Sequence, residues 1–255
     1  MKIITLASGS KGNTSYIEVG NTRFLIDIGI TYRHLLERLA EIDRSIDDID
    51  ALLITHTHSD HIKGLKVFVK HNNVPVYIRE EMYKELKEIL PKEKIELYND
   101  KMHLKDITID LVHTSHDAPG SVGFLISSDS SSLVYITDTG YINEKYYDLL
   151  SNREIYYIES NHDEQMLLIG PYPHYLKQRI LSDRGHLSNG ATATYLEKFI
   201  GEKTKYIILG HISETNNTKE LAFNTTKAAI ERTKYRPKIL IASQEEIGEV
   251  VEVRW

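Results

Sequence analysis

The sequence predicts an α/β protein built from two mixed β-sheets with helices on their outer faces. Three observations carry that expectation. Short apolar runs of strand length recur along the 255 residues. Helical stretches are interspersed among them. The first strands follow one another through tight turns, whereas a purely parallel doubly wound sheet would alternate strand and helix throughout.

Three strands open the chain, KIITLA, TSYIEVG and TRFLIDIG, with VGNTR (residues 19–23) turning between the last two. Leu35, Leu36, Leu39 and Ala40 mark one face of a helix over Tyr32–Ile42. ALLIT is a strongly apolar run, the pattern of a strand covered on both faces. A helix is expected from about His61 to Lys70, then the strand VPVYI, then a helix over Glu80–Leu90 with Pro91 just beyond it. KIELY, ITIDLVHT, SVGFLIS and SLVYIT are further strands, and the polar run SSDSSS (residues 127–132) turns between the last two. A helix at Asn143–Leu150 precedes the strand REIYYIES. Helical stretches follow around Gln165–Ile169 and near Gly190–Ile200. KYIILG and PKILIAS are the late strands, separated by a helix near Asn217–Thr233. No Pro-rich, Ser-rich or single-sign linker divides the chain, so residues 1–255 are expected to form one domain.

Composition narrows the function classes. Hydrophobic residues make up 41% and charged residues 27%, a globular balance. No run approaches the roughly 18 apolar residues of a membrane helix. The start, MKIITLASGSKGN, turns to Ser and Gly too soon for a signal-peptide core, so a soluble cytoplasmic protein is expected. There is no cysteine, which excludes disulfides, thiolate zinc sites and cysteine nucleophiles. Any transition-metal site must therefore use His and carboxylate. The net charge of −6 argues against broad non-specific nucleic-acid binding. It leaves room for a local basic groove, or for metal ions that contact phosphate.

The strand ALLIT delivers THTHSDH to a sheet edge, crowding His56, His58, Asp60 and His61 into one turn. Imidazole and carboxylate together suit zinc and similar ions. Adjacent Asp60 and His61 are expected to serve a different ion from His56 and His58, because one ion would require a strained turn. Four residues cannot complete two sites, so other strand ends must contribute. His113 and His116 follow ITIDLV, Asp138 follows LVYIT, and His211 follows YIILG. Each alone is an ordinary strand-end polar residue; their recurrence in one context points to a metal centre.

These motifs resemble the metallo-β-lactamase superfamily, whose H-x-H-x-D-H signature THTHSDH matches. The resemblance runs from about residue 1 to 225. LASGSKGNTSYIEVG, SHDAPGSVGF, YITDTGYI, ESNHD, GHLSN and LGHISETNN further resemble its YycJ/WalJ group of bacterial metallo-hydrolases. The resemblance implies a four-layer αββα sandwich with a two-metal site at one edge. It implies that His56, His58 and His116 hold one ion, that Asp60, His61 and His211 hold the other, and that Asp138 bridges them. Asp27 matches a position that orients the ligand loops by hydrogen bonds. His113 falls outside the motif and is expected to be structural or outer-shell. Zn²⁺ or Mn²⁺ suits such a thiolate-free set, and Fe is also compatible.

A water bridging two divalent ions loses a proton near neutral pH, since a metal-bound water reaches a pKa of roughly 7. The hydroxide attacks phosphorus or carbonyl carbon without a protein nucleophile, steered by Asp60 or Asp138. His186 in GHLSN could donate a proton to the leaving oxygen, while Ser188 or Asn189 could cap the next helix and its free amides take a phosphate. A simple capping loop is the competing reading. In ESNHD, Glu159, Asn161, His162 and Asp163 could reach the metals or the substrate, with His162 and Asp163 the substrate-binding candidates, against a polar turn with a helix cap. SGSKGNTS lacks Walker spacing; a tight loop in which Asn13 shapes the rim fits better. Lys63, Lys66 and Lys70 share one expected helix face, solvated or touching a phosphate backbone.

The resemblance implies a nuclease, with 5′-to-3′ exonuclease action on DNA as the leading expectation. Too little chain lies between Asp138 and His211 for the large cap domain of RNA-processing members. The alternatives are a small-molecule or RNA phosphodiesterase with the same dinuclear site, and a non-catalytic regulatory protein on this scaffold.

Overall fold

The computed structural model describes residues 1–253. One sheet is formed by β1 (Lys2–Ala7), β2 (Thr14–Val19), β3 (Thr22–Ile26), β4 (Ala51–Leu53), β5 (Val76–Ile78), β6 (Ile95–Leu97) and β14 (Val251–Glu252). Its order is β14-β1-β2-β3-β4-β5-β6. The other sheet holds β7 (Lys101–Leu104), β8 (Ile107–His113), β9 (Val122–Ser127), β10 (Ser132–Ile136), β11 (Ile155–Glu159), β12 (Tyr206–Gly210) and β13 (Lys238–Ile241), in the order β13-β12-β11-β10-β9-β8-β7. Both are mixed. Antiparallel pairing links β1, β2 and β3, then parallel pairing runs from β3 to β6. The second sheet repeats this plan: antiparallel from β7 to β10, parallel from β10 to β13.

The two-residue period of a strand explains the layers. Phe124, Tyr135 and Tyr157 point into the core between the sheets, with Leu6, Ile17 and Phe24. Their neighbours Leu125, Val134, Ile136, Tyr156 and Ile158 point the other way. There they meet Leu196 and Phe199 of α8 (Asn189–Phe199) and Ala222 and Ile230 of α9 (Lys219–Glu231). Outside the first sheet lie α1 (Tyr32–Glu41), α3 (Leu65–His71) and α4 (Glu80–Leu86), which bury Leu35 and Leu39, Phe68, and Met82 respectively. The result is the four-layer αββα sandwich of two mixed sheets.

Some elements differ from expectation. The helix expected over His61–Lys70 is two, α2 (Ser59–Ile62) and α3, because Gly64 turns its N–H to the Ile28 carbonyl at 2.9 Å. Lys63 thus lies off the helix that carries Lys66 and Lys70, and all three are exposed. α4 stops four residues short of Leu90. The Asn143–Leu150 stretch begins as a 3₁₀ turn before α5 (Tyr147–Leu150). Three elements carried too weak a pattern to predict: β7, which buries only Met102 and Leu104; the two-residue β14; and α7 (His174–Leu181), which buries only Ile180 and follows α6 (Glu164–Ile169).

Candidate metal centre

The residues that follow β3, β4, β8, β10, β11 and β12 meet at one edge of the sandwich. Three of them, Asp27, Asp138 and His211, sit at φ 59°, 50° and 52°, in the left-handed region. Non-glycine residues there cost on the order of 1 kcal/mol or more and persist only where surroundings hold them. Each of the three carries a polar side chain that this sharp turn directs into the cluster. Gly29 allows the loops to close: a Cβ there would lie 1.7 Å from the Asp60 carbonyl oxygen and 2.4 Å from the Asn13 nitrogen.

Ligand-type atoms gather in overlapping groups, each within 4.8 Å: His56, His58 and His116; His56, His61 and Asp138; Asp60, His61 and His211; Asp138, Glu159, His186 and His211. The histidines share a pattern. One nitrogen of each is tied outward, and the other faces the cluster. His56 Nδ1 lies 3.0 Å from Thr55 Oγ1, while its Nε2 is buried without a partner. His61 Nδ1 lies 2.7 Å from Asp27 Oδ2, while Nε2 faces Asp138 at 3.2 Å and Asp60 at 3.5 Å. His116 Nδ1 lies 3.1 Å from the Gly185 carbonyl. Its Nε2 meets His58 Nδ1 at 3.1 Å, and His58 Nε2 turns out to Asp117 Oδ1 at 3.3 Å. His211 Nδ1 lies 2.8 Å from Glu159, and its buried Nε2 makes no hydrogen bond and faces Asp60 Oδ2 at 3.4 Å.

This arrangement fits divalent metal ions. Outward hydrogen bonds fix each ring and raise the basicity of the inward nitrogen. Two buried imidazole nitrogens without hydrogen bonds, His56 Nε2 and His211 Nε2, are costly unless an ion takes them. The charge balance agrees. Burial alone would lower the His61 pKa, but Asp138 and Asp27 reverse this and raise it to about 10. Burial opposes ionisation of Asp138 too, yet His211 and His61 hold its carboxyl well below the usual range. The anionic cage attracts protons or cations.

Asp138 stands between the groups. Its Oδ2 faces His61, and its Oδ1 lies 3.4 Å from His211 Nδ1 and 3.9 Å from His116 Nε2. Asp27 is fully buried; Oδ1 accepts from the Thr55 N–H at 2.8 Å, and Oδ2 accepts from Thr55 Oγ1 at 2.7 Å. Asn13 braces the opposite side, its amide nitrogen 3.2 Å from Asp60 Oδ2 and 3.1 Å from His61 Nε2. His186 Nδ1 lies 2.7 Å from Glu159 Oε1.

Other sequence candidates are engaged elsewhere. Asp163 caps α6, accepting from the Met166 N–H at 2.9 Å. Ser188 caps α8 through the Ala191 N–H and donates to Glu164. Asn189 is buried against Ser160 and Asn217. The His162 ring is buried and without a partner, and desolvation lowers its pKa to about 4. His113 joins a surface group with Asp100 and Arg79.

Thr55 and Asp117 escaped the sequence candidates, and Glu159 was only one of four polar residues in ESNHD that could reach the metals or the substrate. Glu159, fully buried, accepts from His186 and His211 through Oε1, and from the Leu187 and Thr139 N–H groups through Oε2. Burial opposes its ionisation, but His186 and His211 bring its pKa down to about 2. Thr55 links Asp27 to His56. Asp117 backs His58. The available signal was position: Thr55 and Asp117 each adjoin a histidine, and Glu159 ends an apolar strand.

A cleft of about 250 Å³ opens over the cluster, lined by Ser10, His58, Asp60, Asp138, Asn161, Tyr172, Leu176, Arg179, Ile180, His186, His211 and Ser213. Residues 8–211 match the metallo-β-lactamase superfamily. The chain is 39% identical to exodeoxyribonuclease WalJ of Streptococcus pneumoniae over 88% of this chain and 86% of that one. It belongs to the WalJ/YycJ group of the metallo-β-lactamase superfamily. Exodeoxyribonuclease YycJ of Bacillus anthracis is 34% identical, over 89% and 88% of the two chains. Among solved structures, the metallo-β-lactamase fold protein YhfI from Bacillus subtilis superposes with a TM-score of 0.73 at 14% identity, covering 97% of this chain and 99% of that one. A WalJ/YycJ-group member is a metal-dependent hydrolase, and the buried His/Asp cluster is where a divalent metal fits.

Proposed function

We propose that this protein is a two-metal 5′-to-3′ DNA exonuclease. The observation that carries the reading is Asp138, whose carboxylate reaches both ligand groups: Oδ2 lies 3.2 Å from His61 Nε2, and Oδ1 lies 3.9 Å from His116 Nε2. In this reading His56, His58 and His116 hold one ion, Asp60, His61 and His211 hold the second, and Asp138 joins them. Two ions there, Zn²⁺ or Mn²⁺, would activate a water and offset charge developing on the phosphate. The names of the Streptococcus and Bacillus relatives support DNA as substrate.

The chain's own residues supply orientation and a proton. Asp27, through Thr55 and His61, fixes two ligand rings before substrate arrives. Asp60 or Asp138 accepts a hydrogen bond from the attacking water and aims it. His186 lines the cleft, with Glu159 accepting from its Nδ1–H. That carboxylate stabilises the imidazolium, leaving Nε2–H to protonate the departing 3′ oxygen. Restoring the proton completes the cycle. A buried Glu159 that stays ionised suits this role.

The test uses duplex DNA labelled at either end, with Mn²⁺ or Zn²⁺ supplied to chelator-stripped protein. A label at the recessed 5′ end should appear as mononucleotide first. His58→Ala should abolish cleavage. Intact DNA under every divalent metal, with cleavage of a small phosphodiester or a thioester instead, overturns the nuclease reading.

A further inference from the structure

Part of the cleft wall beside the His/Asp cluster comes from a segment that carried little sequence signal. Between β11 and α8 the chain leaves the sandwich, forms α6 and α7, and returns at His186. The strand-like bridge between His162 and Ser188 ties the base of this excursion. Tyr172, Leu176, Arg179 and Ile180 project from it into the cleft. Lys177 Nζ anchors α7 to α6 by donating to the Leu168 carbonyl at 2.7 Å.

Arg179 is the one lysine or arginine among the residues lining the cleft, beside the carboxylates of Asp60 and Asp138. Its Nε donates to Asp117 Oδ2 at 2.5 Å. Asp117 Oδ1 lies 3.3 Å from His58 Nε2, so one carboxylate backs both a histidine of the cluster and the arginine. The guanidinium is half exposed, and among the described residues no hydrogen bond or ion pair engages its terminal nitrogens. A guanidinium held through Nε presents those two N–H₂ groups as a fork, the geometry that grips phosphate oxygens. Leu176 and Ile180 lie on the same helix, three residues before Arg179 and one residue after it, and Tyr172 precedes them.

Resting on the nuclease reading above, we propose that Arg179, seated on Asp117, clamps a DNA phosphate next to the scissile one, while Tyr172, Leu176 and Ile180 form the face against which the terminal nucleoside lies. A phosphate in this cleft would then meet the guanidinium of Arg179 as well as any cation that the His/Asp cluster holds. The cleft volume is below the roughly 300–1,000 Å³ of drug-sized ligand sites. It suits one nucleotide at a strand end rather than a duplex.

Chelator-stripped, Mn²⁺-reloaded native protein is compared with Arg179→Ala, Arg179→Lys and Leu176→Ala. Substrates are end-labelled DNA and bis(p-nitrophenyl) phosphate, which has no neighbouring phosphate. Arg179→Ala should raise KM for DNA roughly tenfold or more, with a smaller loss on the small diester. The slope of log KM against log salt should become shallower by about 0.7. Arg179→Lys should recover the slope and part of the KM. Leu176→Ala should raise KM and leave the slope alone. An unchanged DNA KM and slope in Arg179→Ala, or equal losses on both substrates, overturns the proposal. If native protein leaves DNA intact, the nuclease reading falls separately. The clamp is then read from inhibition of diester cleavage by a deoxynucleoside 3′,5′-bisphosphate: a Ki raised in Arg179→Ala supports it, and an equal Ki refutes it.

Discussion

Replacing Glu159 by Gln alters the chemistry of one buried group while preserving its size. Each carboxylate oxygen accepts from two N–H donors: His186 and His211 on Oε1, and the Leu187 and Thr139 amides on Oε2. A primary amide has one acceptor oxygen. Turned with its oxygen to the histidines, it sets an NH₂ against the Leu187 and Thr139 N–H groups, and two hydrogen bonds to a charged acceptor are lost, each worth about 1.5–3 kcal/mol, so the substitution should cost about 3–6 kcal/mol. Turned the other way, it forces the His211 proton onto Nε2, the nitrogen that faces the cluster. For a chain of this length that is a fall in Tm on the order of 10 °C. His211 also loses the carboxylate that fixes its ring, which should weaken metal binding about 10- to 100-fold. Calorimetric melts of the metal-free protein and metal titrations of native and Glu159→Gln proteins measure both effects. A variant with native Tm and native metal affinity would refute the assignment of Glu159 as the shared anchor.

Asp138→Asn removes the charge between the two ligand groups. It should lower the metal content and reduce cleavage a hundredfold or more, checked by elemental analysis and end-label assays. Gly29→Ala places a Cβ against the Asp60 and Asn13 backbones. It should cost about 3 kcal/mol or more; a native melting curve would show that the loops tolerate separation. The raised His61 pKa has a defined sign. In metal-free protein, the stability contributed by its protonated ring is fully present below 6.5 and is lost as pH rises toward 10. For the same reason metal uptake at pH 7 should release a proton, measurable by calorimetry in buffers of differing ionisation enthalpy. Glu159, held near 2, contributes stability present above about 4.5 and lost as pH falls toward 2.

The sequence by itself determined the sandwich and the strand ends that carry polar groups. Successive side chains of a strand point to opposite faces, so the unbroken apolar run Val134, Tyr135 and Ile136 already announces a strand buried on both faces. THTHSDH likewise places its histidines together through chain adjacency alone. What the sequence left open depends on pairs distant along the chain. Glu159 and His211 are 52 residues apart, and Arg179 and Asp117 are 62 apart. Neither pair carries a spacing rule, because each forms only when separate loops fold over one edge. Ser188 shows the same limit in reverse. Its place before a helix permits either a cap or a phosphate site, and only the folded neighbours, Ala191 and Glu164, direct its hydroxyl into the fold. Local hydrophobic period specifies which segments become strands and helices. Which polar atoms remain free for chemistry depends on burial and competing partners, and these exist only once the two sheets have packed.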